Sequence, residues 1–118
     1  MANYTVSTPR PDVLRVVFEQ GWDPETDSTP MFRDLLDTLE ATDEMMTLLV
    51  VAGEHRPAYH DVATARDVLY HDRLKGVAVV STQAEMALRH MGATRGERGM
   101  PPIPMHAFEN EDAALGVL

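Results

Sequence analysis

The sequence predicts a single α/β domain on a mixed β-sheet, an initial hairpin followed by β-α units with about four helices. Three observations carry that expectation. Apolar runs rich in β-branched residues alternate with amphipathic stretches whose apolar residues recur at i, i+3, i+4 and i+7. Two of the runs, Met45 to Ala52 and Gly76 to Val80, are almost unbroken, as strands covered on both faces are. The chain has 118 residues, 44% of them hydrophobic, the size and composition of one domain with one continuous core over 1–118.

Residues 3–7 read as a short edge strand, with Pro9 and Pro11 punctuating the chain beyond it. Val13 to Phe18 reads as its hairpin partner. Residues 19–29 read as a polar loop. Thr29 then serves as N-cap with Pro30 at the first helical position, and Phe32, Leu35, Leu36 and Leu39 mark one face of a helix over 30–41. The buried strand from Met45 ends at Gly53. Asp61 caps a helix over 62–71, with Val62, Ala65 and Leu69 on one side. After the strand 76–80, Thr82 and Glu85 have the spacing of a capping box, and Ala84, Ala87, Leu88 and Met91 define a helix that Gly92 stops. Residues 93–102 read as a loop, Ile103 to Phe108 as the last strand, and Asn110 as the cap of a final helix. Glu111 and Asp112 suit that helix's first turn, and Ala114, Leu115 and Leu118 form its apolar side. Strands alternating with helices imply a largely parallel sheet with right-handed crossovers.

Charge and composition exclude several functions. The net charge is −9, from 19 acidic and 10 basic residues. Phosphate backbones and anionic lipid surfaces are held by clustered Lys and Arg, so neither nucleic acid nor a membrane surface is an expected partner. The chain has no cysteine, which rules out disulfides, thiolate zinc, iron–sulfur clusters and cysteine nucleophiles. The first ten residues lack the apolar region of a secretory signal, and no run is long enough to span a bilayer. A cytoplasmic location without a resident cofactor is expected.

The pieces VLRVVF (13–18), PMFRDLLDTLEA (30–41), TLLVVAG (47–53), KGVAVVST (75–82) and IPMHAFENEDAAL (103–115) occur in an order that resembles the SpoIIAA-like branch of the STAS superfamily (sulphate transporter and anti-sigma-factor antagonist). The last piece is the most characteristic, a strand ending in an aromatic residue, an acidic cap and an alanine-rich helix. The resemblance implies a non-catalytic regulatory or ligand-binding domain acting on a protein or small-molecule partner. In the anti-sigma antagonists a phosphorylatable Ser follows a central strand. The matching stretch here, 53–61, contains neither Ser nor Thr, so that phospho-switch does not carry over. A likeness of some SpoIIAA-like proteins to Sec14-type folds implies a second alternative, an apolar, lipid-like ligand carrier.

Glu54, His55, Arg56, Tyr59 and His60, with Asp61, form the densest set of functional side chains, and they are the candidate ligand-binding residues. They follow the carboxyl end of a central strand, where open α/β sheets bind ligands. Acid, base, cation and phenol together suit an anionic or carbonyl compound, or a small enzyme. The competing reading, and the favoured one, is a solvated polar loop. His60 and His71 would share a face of one helix, but three turns place them about 16 Å apart, too far for one metal ion. His55, His60 and a carboxylate lack recognisable ligand spacing, so no metal is expected. Ser81 suits anion binding at a helix start, though the capping reading accounts for Thr82 beside it, and no G-x-S-x-G surrounds Ser81. Arg95 and Arg98 lie among glycines in the 93–102 loop, which is compatible with closure on an anion but reads better as solvated chain. Met31, Met45, Met46, Met86, Met91, Met100 and Met105 read chiefly as core, with an adaptable pocket as the alternative. Trp22, beside Phe18, is either a partner anchor or a cover for one end of the sheet. Homodimerisation through a sheet edge or the Met-rich helix faces is the remaining expectation for partners.

Overall fold

The computed structural model describes residues 3–53, 62–82 and 84–117. Five strands form one sheet: β1 (Tyr4–Arg10), β2 (Val13–Phe18), β3 (Met46–Gly53), β4 (Leu74–Ser81) and β5 (Met105–Phe108). Their spatial order is β1-β2-β3-β4-β5, with β1 antiparallel to β2 and every other pair parallel. The helices are α1 (Pro24–Ala41), α2 (Val62–Leu69), α3 (Ala84–Glu97) and α4 (Glu111–Val117). The mixed sheet, the opening hairpin and the four helices all agree with the sequence reading.

Alternation along the strands sorts the core into two layers. Leu14, Val16 and Phe18 of β2, Leu48, Val50 and Ala52 of β3, and Val77 and Val79 of β4 face one side. There they pack with Phe32, Leu35 and Leu39 of α1, Ala65, Val68 and Leu69 of α2, and Ala84, Ala87 and Met91 of α3. Successive crossovers that step the same way across the sheet, all of one hand, lay their helices on one face. The other face presents Val13, Leu49, Ala78 and Val80, which meet Ala114 of α4. β3 is central and buried on both sides, as its almost unbroken apolar run demands.

Several boundaries differ from the sequence reading, each for a local reason. β1 continues through Pro9 to Arg10 because the register shifts between Ser7 and Arg10, and an edge strand tolerates a residue with no N–H to give. α1 starts at Pro24, not Pro30. Asp23 is its N-cap, with Oδ1 accepting from the Glu25 amide (3.1 Å) and Oδ2 from the Thr26 hydroxyl (3.0 Å). Pro30 lies inside the helix. Most of the stretch read as loop is therefore helix, and it buries Asp27 and Ser28. Asp27 accepts from the Asp23 amide (2.8 Å) and from Asn3 Nδ2 (3.2 Å), which satisfies a carboxylate in a place where hydropathy expects none.

α2 stops at Leu69, two residues short of His71. α3 runs through Gly92 to Glu97 and ends in a Schellman motif. Gly99 adopts φ +70°, its amide donates to the Gly96 carbonyl (3.0 Å), and the Met100 amide donates to the Arg95 carbonyl (3.2 Å). The glycine that ends this helix is thus Gly99. β5 is shorter than expected, beginning at Met105. Asn110 caps α4 as the sequence predicts, its Oδ1 accepting from the Ala113 amide (2.8 Å).

Candidate functional site

The residues singled out as a binding loop, Glu54, His55, Arg56, Tyr59, His60 and Asp61, lie outside the described residues. The structure does define the rim from which that segment departs. β3 ends at Gly53, which is exposed, adopts φ +59° and has open space around it. Its carbonyl accepts from the Thr82 amide at 3.1 Å, joining the carboxyl ends of β3 and β4. This bond takes the amide hydrogen that a capping box would offer to Glu85. Beside it, Thr82, Glu85, exposed Met86 and Arg89 border a shallow depression at the start of α3. The rim therefore stands at the carboxyl edge of the parallel strands, the position that open α/β sheets use for ligands.

His71 stands at the opposite end of the sheet. It lies in the turn between α2 and β4, so the shared helix face with His60 is not formed. Its Nδ1 accepts from the Arg73 amide (3.2 Å), a bond that shapes the entry into β4. Around it, Leu36, Glu40, Asp67, Tyr70, Asp72 and Arg98 line an open cleft of about 500 Å³. Arg98 lies over the Tyr70 ring, 4.9 Å from its centre, a cation–π contact across the ends of α2 and α3. Among the described residues, no group of three or more His, Asp or Glu side chains is placed to hold a metal ion.

Arg95 is not a loop residue reaching for an anion. It is 4% exposed, on the inner side of α3. Nη1 donates to the Leu69 carbonyl (2.6 Å) and Nη2 to the Pro101 carbonyl (3.0 Å). Leu69 is the last residue of α2, where carbonyl dipoles favour a cation. Burial pushes the Arg95 pKa below its ordinary value, because the charged form loses hydration.

Trp22 is core as well. Its ring stacks on Phe18 at 4.1 Å and meets Tyr4 edge-on at 6.3 Å, closing one end of the sheet. Of the methionines, Met31, Met46 and Met91 are buried, whereas Met45 and Met86 are exposed. Met31 and Met91 border an apolar void between the sheet and its helices, with Phe18, Phe32 and Val68 among its other walls. The void measures about 20 Å³, room for one water and not for an acyl chain.

Hydropathy patterns miss two arginines that act on α4. Arg15 of β2 grips Glu111 through two bonds, Nε to Oε1 and Nη2 to Oε2, the latter at 3.0 Å. Arg10 of β1 donates from Nη2 to the Leu115 carbonyl at 2.9 Å. The one signal in the sequence is alternation, since Arg15 interrupts the apolar strand VLRVVF at a position facing the second side of the sheet. No family model, curated protein or solved structure matches this chain.

Proposed function

We propose that the chain is a non-catalytic regulatory or ligand-binding domain of the SpoIIAA-like, STAS type, with its binding edge at the carboxyl ends of β3 and β4. The element order supports this reading: an antiparallel hairpin leads into parallel β-α units, and the strand–aromatic–cap–helix segment from Met105 to Val117 has the form on which the resemblance rests. The segment 54–61 leaves from that edge and supplies the side chains that would meet a ligand. The polar residues that look reactive elsewhere have structural partners: Arg95 holds two carbonyls and His71 an amide. A cytoplasmic location is part of this proposal.

Native mass spectrometry of the purified chain, set against its denatured mass, tests the proposal together with a panel of ester, phosphate and carbonyl substrates. A bound small molecule lost on denaturation, or a stoichiometric protein partner, without turnover, supports it. Turnover abolished by His55→Ala and His60→Ala replaces it with an enzyme built on 54–61.

A further inference from the structure

The two faces of the sheet are buried by unequal means. Three helices with Leu, Phe, Val and Met side chains cover the first. Among the described residues, α4 alone packs on the second face, and it has seven residues, of which Ala114 is buried and Leu115 partly buried against that face. A helix this short does not hold its conformation unaided, Gly116 weakens it further, and an alanine methyl with one half-buried leucine brings less apolar area than the side chains on the first face. Beneath it lie Leu49 and Ala78, both at 0% exposure, with Val13 and Val80. Two polar tethers add to that contact: the Arg15–Glu111 pair, about a quarter exposed on each side, and the bond from Arg10 to the Leu115 carbonyl. Both tethers come from β1 and β2, whereas the chain enters α4 from β5.

We infer that α4 is a latched flap. It swings off the second face while the sheet and the other three helices stay folded, and the Arg15–Glu111 pair sets how often it does so. The open state presents an apolar strip of Val13, Leu49, Ala78 and Val80 that the closed state hides. This inference does not depend on the function proposed above.

Because the chain has no cysteine, one introduced thiol reports on one place. Ala78 and Val79 are adjacent in β4, both at 0% exposure, and face opposite sides of the sheet. In separate A78C and V79C chains, modification by a thiol reagent under native conditions reads flap opening and exposure of the main core respectively. The flap predicts that A78C reacts at least about tenfold faster than V79C. Adding Glu111→Gln should raise the A78C rate about fivefold and leave V79C unchanged. Equal rates for the two thiols, or equal acceleration by Glu111→Gln, would overturn the inference. Should either cysteine chain fail to fold, hydrogen exchange on the unsubstituted chain and on Glu111→Gln decides. Faster exchange of α4 amides alone in the variant supports the flap, and acceleration shared with β3 overturns it.

Discussion

Arg95 is the residue on which the helical layer turns. Its guanidinium joins the end of α2 to the chain beyond α3, and its desolvation is offset by two carbonyl acceptors rather than by a carboxylate. Arg95→Met should keep the shape of the side chain but strand the carbonyls of Leu69 and Pro101. Its expected cost is about 2–4 kcal/mol of unfolding free energy, read from urea denaturation. Arg95→Lys should fall between, since one ammonium does not reproduce the planar fork that spans both acceptors. A Met variant within about 0.5 kcal/mol of the parent would show that the bonds contribute nothing net. Tyr4 offers a pH-dependent counterpart. Burial, first, and then its hydrogen bond to Asp34 (2.5 Å) raise the phenol's pKa well above its ordinary 10. The folded chain thus holds that proton more tightly than the unfolded chain. Its contribution to stability is complete below pH 10 and drains away as pH rises from there towards the folded-state value. Tyr4→Phe should flatten the loss of stability above about pH 10, measured by urea midpoints across the alkaline range. An unchanged alkaline slope would remove Tyr4 from the account.

At the scale of elements, the sequence and the structure part company where two identical punctuation signals compete. Thr29-Pro30 reads as a cap followed by a first-turn proline, and Asp23-Pro24, which does start α1 in the structure, has the same form inside the stretch read as loop. The apolar face that makes a helix legible begins only at Phe32, because the first turns of α1 bury Asp27 and Ser28, which hydropathy counts as loop. The cost of each substitution separates the two starts. Asp23→Ala should cost about 1 kcal/mol by removing the cap, whereas Thr29→Ala should stay within about 0.5 kcal/mol. Pro30→Ala should stabilise the chain by about 1 kcal/mol or more, since an exposed interior proline withholds one helical N–H. A destabilised Pro30→Ala with an unaffected Asp23→Ala would place the helix start at Pro30 after all. α3 outruns its legible end for a related reason. Its buried face runs Ala84, Ala87, Met91 and then Arg95, and a charged residue at the fourth place hides the continuation. Strands β2, β3 and β4 are legible because they carry little but aliphatic residues, and α4 because Asn110 and two acids announce it. Of the site, the sequence indicates the carboxyl edge of β3, and the structure describes that edge up to Gly53. The loop residues that would give it chemistry, from Glu54 to His60, are legible only as residue types.

For the molecule as a whole, the consequence of this architecture is that one core couples elements far apart in the chain. Phe18 and Trp22, near the start, belong to the same apolar cluster as Met91 of α3, with Leu48 and Val79 between them. Gly76 is a closely packed point of the sheet that supports this cluster. A methyl group placed there would sit 3.2 Å from the Pro104 carbonyl oxygen and 3.4 Å from Thr47 Oγ1. The same carbonyl accepts from the Val77 amide at 2.9 Å, the bond by which the chain leading into β5 meets β4. Neither neighbour is the free end of a flexible side chain, so a larger residue must push β5 away from β4 or Thr47 out of its layer. Gly76→Ala should cost about 1–2 kcal/mol and Gly76→Val about 3 kcal/mol or more. The spectroscopic consequence is sharper than the energy. Trp22 lies beyond the far end of β2, two strands away from Gly76, yet it packs on the shared core. If that core unfolds as one unit, Trp22 fluorescence and far-ultraviolet circular dichroism will share a urea midpoint in the parent chain, and Gly76→Ala will move both by the same amount. Separation of the two curves in the variant would mean that β4 and β5 come apart while the hairpin and α1 remain packed, and the cluster would then be two cooperative units rather than one.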